Sequence, residues 1–188
     1  MVGDAEATKK RLLDAALQEF GAFGIAGARV DRIAAVAGCN KAQIYHYFDS
    51  KDGLFDAVFN LLIAEIMRET PIDPANLPEY AGQLFDRYEK HPELARLATW
   101  YRLERADSDA PLQVILDSNR HKVESITKAQ ADGTLSSNFE PAVLLGLVLH
   151  QASMWSGMVP EYSLLVREMT STERRQVVID TVKAILQA

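Results

Sequence analysis

Between Val30 and Phe48 the chain reads VDRIAAVAGCNKAQIYHYF, and Lys41, Gln43, Tyr45 and His46 fall where one short helix would hold all four on its outer side. These side chains suit recognition of hydrogen-bonding groups rather than bond making. Glutamine pairs bidentately with adenine, lysine donates to guanine or to phosphate, and a tyrosine hydroxyl meets phosphate. Each has a plainer reading: Gln43 closing a capping box, Tyr45 packing on a preceding helix, His46 simply solvated.

The flanking residues predict the elements that must hold these groups. Ile33, Ala34 and Ala37 give the helix Val30–Ala37 a small apolar face that another helix can cross tightly. Gly38 supplies the positive φ that ends it. Asn40 is placed to cap the next helix, with Gln43 three residues on as its reciprocal partner. That helix, Lys41 to Tyr47, buries Ile44, with Phe48 packing after it. Two short helices joined through a glycine turn form a helix-turn-helix whose second member presents the four polar groups.

Gly24 through Phe55, GIAGARVDRIAAVAGCNKAQIYHYFDSKDGLF, resembles the DNA-binding domain of the TetR (tetracycline-repressor) family of transcription regulators. The resemblance rests on the helix before Gly24, the IAxxAG core, the Tyr45-His46-Tyr47-Phe48 run and the Ser50-Lys51-Asp52-x-Leu54 entry to the following helix. It covers about a quarter of the chain. It implies an obligate homodimer, three N-terminal helices on a palindromic double-stranded operator, and a helical C-terminal domain that binds a small-molecule effector. It assigns Lys41, Gln43, Tyr45 and His46 to DNA, and Lys51, at a helix N-terminus, to a phosphate. Where many members carry Thr-Thr before the motif this chain has Ala28-Arg29, so Arg29 is expected to make a charged phosphate contact. Asn40, Ala42 and Gln43 replace residues frequent in relatives, so base preference does not carry over.

The rest of the chain reads as helix, with no sustained alternation. Leu13, Ala16, Leu17 and Phe20 form an amphipathic face that Gly21 and Gly24 are expected to close. Ser50 is placed to cap a helix through Ile66, and further helices are expected over about 79–90, 92–106, 110–132, 141–157 and 172–187. Pro92, Pro111 and Pro141 suit first helical turns, and Thr170-x-x-Glu173 reads as a capping box. All seven prolines lie at or beyond Pro71, and Pro71, Pro74 and Pro78 interrupt regular structure. The fold class is therefore all-α: an N-terminal three-helix helix-turn-helix domain (residues 1–52) and a C-terminal helical ligand-binding and dimerisation domain (residues 53–188).

In the second domain Trp100, Leu116, Asn119, Gln151, Met154 and Trp155 are candidates to line an effector cavity, apolar with a few polar groups. The same spacing also fits plain core. Leu144, Leu147, Val148, Val178, Val182 and Ile185 exceed what outer helices of a monomer expose, which assigns them to a dimer interface. The helix 51–70 is expected to join the two domains and carry the effector signal.

Composition narrows the alternatives. Across 188 residues, 48% are hydrophobic and 24% charged, which excludes disorder or a fibre. The net charge of −6 argues against coating nucleic acid by bulk charge. Up to residue 60 there are seven basic and eight acidic residues, so the N-terminal unit is near neutral and the acid surplus lies beyond it. No apolar run approaches the roughly 18 residues needed to span a bilayer. The absence of a leader pattern and the single cysteine point to the cytoplasm, with Cys39 filling a turn rather than acting as a redox switch. Lys9, Lys10 and Arg11 read as a solvated face before a basic arm. Gly21-x-x-Gly24-x-x-Gly27 lacks the spacing and the strand of a dinucleotide loop, and His121-x-x-Glu124 lacks a second ligand pair. No catalytic residues, metal or cofactor are expected. Two other readings stay open: a DNA-binding helical protein without an effector, and a helical small-molecule-binding protein or enzyme.

Overall fold

The computed structural model describes residues 2–105 and 111–187, so the expected helix ends at 106 and 110 lie outside the described residues. Among the described residues there are ten α-helices and no strand. They are α1 (Val2–Gly27), α2 (Val30–Ala37), α3 (Lys41–Phe48), α4 (Lys51–Glu69), α5 (Leu77–Lys90), α6 (Pro92–Glu104), α7 (Gln113–Ala131), α8 (Pro141–Ser153), α9 (Pro160–Leu165) and α10 (Ser171–Gln187). None is long and apolar enough to cross a membrane.

The chain forms two compact units, one of residues 1–65 with 96–115, the other of residues 66–95 with 116–188. The expected break at 52–53 rested on the motif alone. The first unit reaches further because Phe20 meets Phe55 edge-on at 5.1 Å, and Phe59 lies 5.0 Å from Phe55 and 5.1 Å from Tyr101. Such aromatic pairs each add roughly 1 kcal/mol beyond the area they bury. The buried stripe of α1 is Leu12, Ala15, Ala16 and Phe20, while Leu13 and Leu17 are only half-buried. The amphipathic face is therefore rotated by one residue from the expected one. Nor do Gly21 and Gly24 end the helix: it breaks at Gly24 (φ 70°, ψ −178°) and resumes to Gly27.

The second unit is built on α5. Leu77, Tyr80, Ala81, Leu84 and Phe85 recur at i, i+3, i+4, i+7 and i+8, all buried, and pack with Ile126 of α7, Leu144 and Val148 of α8 and Val178 and Val182 of α10. Arg175 of α10 holds α5 from outside, with 2.6 Å to Glu79 and 2.8 Å to Asp86. Asn76 caps α5, accepting the Glu79 N–H, which starts the helix two residues before the expected 79. Thr170 and Glu173 form the expected capping box at 2.7 and 3.2 Å. Pro111 stands two residues ahead of α7 rather than in its first turn. The α-helical part of 141–157 ends at Ser153, followed by a 3-10 turn over Met154–Gly157. The short α9 had no sequence expectation, being too brief to show a period.

Four of the six residues expected at a dimer interface lie in the core of the second unit. Leu144, Val148, Val178 and Val182 are at most 1% exposed because α5 covers them within the protomer. Periodicity reveals that a helix is apolar on several faces, not which neighbour covers each. Leu147 and Ile185 are half-buried, while Val143 (53%), Leu164 (67%), Leu165 (80%) and Val177 (36%) are exposed along α8, α9 and α10.

Candidate nucleic-acid interface

The turn between α2 and α3 is local chemistry made visible. Gly38 takes the left-handed conformation (φ 64°, ψ 40°), and its N–H returns to the end of α2. A side chain there would be strained, which is why the turn needs glycine. The Asn40 Oδ1 accepts the Ala42 N–H at 2.9 Å, and Gln43 Oε1 accepts the Asn40 N–H at 3.3 Å, completing the capping box. Such caps contribute about 1 kcal/mol. Ile33, Ala34 and Ala37 of α2 and Ile44 and Phe48 of α3 are buried, so the two helices cross on small and apolar side chains.

Packing Ile44 inward turns Lys41, Tyr45 and His46 outward, all exposed, with Tyr45 at 45%. Lys41 Nζ lies 2.9 Å from Asp31 of α2; this bond and charge push its ammonium pKa up, so the lysine stays cationic. His46 lies 5.3 Å from the Tyr47 ring. Gln43 is half-buried with its oxygen committed to the capping box, which leaves its amide nitrogen as the group available outward. Arg29, exposed, precedes α2, and its guanidinium has no partner among the described residues. Lys51 also has a place in the scaffold. Its ammonium donates to the Ala26 and Ala28 carbonyls, each at 3.3 Å, and so ties the start of α4 to the end of α1. Two of its three donors are spent there, leaving one for a phosphate.

The scaffold holding this face contains residues that the motif did not reveal. Glu19 of α1, only 9% exposed, accepts the Arg29 N–H at 2.8 Å and lies 2.6 Å from the Arg32 guanidinium. Arg32 also stacks over Phe23 at 4.2 Å and donates to the Gly27 carbonyl. One carboxylate thus satisfies the start of α2 and a side chain from its first turn. The signal was present: Glu19 stands seven residues after Leu12, on the buried stripe. Arg11, placed with a solvated basic face by sequence, instead donates to the Ala37 carbonyl and fastens the end of α2. Lys10 pairs with Asp14. Burial pushes the Cys39 thiol pKa up, which leaves less of the reactive thiolate.

At the α1 break, Glu104 of α6 accepts the Ile25 and Ala26 N–H groups at 2.9 and 3.0 Å. Trp100 lies over Gly24. Trp100, expected in an effector cavity, is therefore a first-unit residue packed on α1. Leu116 and Asn119 line an open groove along α7 with Val123. Gln151, Met154 and Trp155 are half-buried around the end of α8, with Trp155 against the second-unit core.

Residues 12–58 match the family described as bacterial regulatory proteins, tetR family, and residues 76–183 match the tetracyclin repressor-like C-terminal domain. The chain belongs to the TetR family. It is 35% identical over 159 residues to the HTH-type transcriptional repressor SCO4008 of Streptomyces coelicolor, covering 84% of this chain and 82% of that protein. The HTH-type transcriptional regulator RutR of Escherichia coli is 33% identical over 97 residues, 48% of this chain and 46% of RutR. The crystal structure of the transcriptional regulator SCO4942 from Streptomyces coelicolor superposes with a TM-score of 0.82 at 36% identity, covering 95% of this chain and 97% of that one. This TetR-family protein is thus a DNA-binding transcriptional regulator, and the proteins it resembles are regulators rather than enzymes.

Proposed function

We propose that this TetR-family regulator acts in the cytoplasm as a homodimer on a palindromic operator, and that it represses until a small molecule bound in its second unit releases the DNA. The observation that carries the reading is the outward face of α3, where Lys41, Tyr45 and His46 stand exposed beside a turn locked by Gly38 and Asn40. Arg29 and the remaining Lys51 donor flank it as phosphate contacts. With few cations in a near-neutral unit, binding depends on few phosphate contacts. Twofold symmetry places the half-sites about one helical turn apart or a multiple. Selecting bound duplexes from a random pool tests this: a palindrome is expected, and recovery of no motif would overturn the reading.

The capping box sets the role of Gln43. While its oxygen holds the Asn40 N–H, its amide nitrogen donates a single bond to a base acceptor instead of a bidentate pair. Gln43→Ala is expected to relax preference at one base pair by about 1 kcal/mol. Equal loss on every sequence would leave Gln43 as a cap alone.

Homodimerisation is assigned to the apolar surface that α8, α9 and α10 leave uncovered: Val143, Leu147, Leu165, Val177 and Ile185. A charge there opposes association. Val177→Glu is expected to yield a folded monomer by sedimentation with operator affinity reduced at least tenfold, and a persistent dimer would move the interface elsewhere. The helices α4, α6 and α7 each have their two ends in different units, which makes them able to pass an effector signal. Weakening operator binding 100-fold requires about 2.7 kcal/mol of effector preference for the released state.

A further inference from the structure

The inward stripe of α7 is Ser118, Lys122, Ile126 and Ala129, all buried. Two of these four positions are polar, which helix packing alone does not call for. Lys122 is 8% exposed, and no described residue accepts a hydrogen bond from its ammonium or forms an ion pair with it. Ser118, one turn away on the same stripe, buries its hydroxyl with no partner, as Tyr80 of α5 does its phenol and Trp155 its indole N–H. A buried cation left unpaired costs folding energy unless something else compensates it.

Lys122 lines a cleft of the second unit with about 360 Å³ of empty space, part of it open to solvent. Met67, Pro71 and Ile72 supply its apolar wall, and Thr70, His121 and Ser125 its polar one. None of its lining residues carries a carboxylate. Thr70 is itself 7% exposed. Burial alone pushes the Lys122 pKa below the ordinary lysine value, as expected for an ammonium lacking a counter-charge.

We infer that this cleft binds a small amphipathic organic anion, its carboxylate paired with Lys122 and its apolar body against Met67, Pro71 and Ile72. The anion supplies the charge the protein withholds. This deepens the effector reading above and rests on it for its link to DNA.

The test uses the full-length protein with octanoate and benzoate as probes, against their neutral counterparts octanol and benzamide. Millimolar carboxylate is expected to raise Tm by at least 2 °C, while the neutral compounds have at most half that effect. Lys122→Met is expected to raise Tm without ligand, since it removes the unpaired charge, and to weaken carboxylate binding by calorimetry at least tenfold. Lys122→Arg is expected to retain binding within threefold. Equal responses to carboxylates and neutral compounds, or undiminished carboxylate binding in Lys122→Met and Lys122→Gln, would overturn the site. Operator titration in parallel separates the two readings. Lys122-dependent carboxylate binding with unchanged operator affinity supports the site and removes the effector role from it. Operator release by carboxylate that survives Lys122→Met overturns the site and leaves the effector reading standing.

Discussion

Glu19→Ala is expected to lower stability by about 2 kcal/mol and to weaken operator binding beyond that loss, because one buried carboxylate holds both ends of the first turn of α2. The Arg29 N–H would lose its acceptor at the point where α2 begins without any side-chain cap of its own. Arg32 is 41% exposed and can turn to water, which keeps the figure below that of a fully buried pair. A shift of about 2–4 °C per kcal/mol is typical for a chain of this size, so the midpoint should fall by roughly 6 °C. Thermal unfolding gives the first quantity and operator titration the second. Glu19→Gln, which keeps the shape and an acceptor, is expected to recover part of the stability. A wild-type midpoint for Glu19→Ala would show that Arg32 stacking on Phe23 holds α2 by itself.

Gly24→Ala should be costlier, about 3 kcal/mol, since it combines backbone strain with a steric collision. At φ 70° and ψ −178° the backbone lies in a region that essentially only glycine occupies. A Cβ there would stand 2.8 Å from the Trp100 ring and would collide with the Glu104 carboxylate. Displacing Glu104 would also free the Ile25 and Ala26 N–H groups, which the helix break has left without helical acceptors. Adding Glu104→Ala to Gly24→Ala is expected to relieve the clash with the carboxylate but not the one with Trp100, the strain or the two lost hydrogen bonds, so the double variant should remain well below wild type by thermal unfolding. Full recovery would place the whole penalty in the collision and dismiss the backbone argument.

Local chemistry in the sequence determined the helix-turn-helix. Gly38, Asn40 and Gln43 act within a few residues of one another, and the turn, cap and capping box follow from their side-chain geometry alone. The same holds for Ser50, whose Oγ accepts the Gly53 N–H at the start of α4, and for Thr170 with Glu173 at α10. The all-α class, too, was legible, because apolar periodicity is a property of each segment. Tertiary structure decided what each exposed or buried group does. Lys51 and Arg11 are cations in any reading, yet the carbonyls they hold belong to α1 and α2 ends 23 to 26 residues away. Trp100 and Gly24 meet only because α6 returns to α1. Leu144, Val148, Val178 and Val182 looked like surplus apolar surface until α5 covered them, and Lys122, on which the sequence carried no expectation, is turned inward on α7. Periodicity gives the direction of a side chain on its own helix; the partner it faces depends on long-range packing, and that is where charge, burial and ligand chemistry are settled.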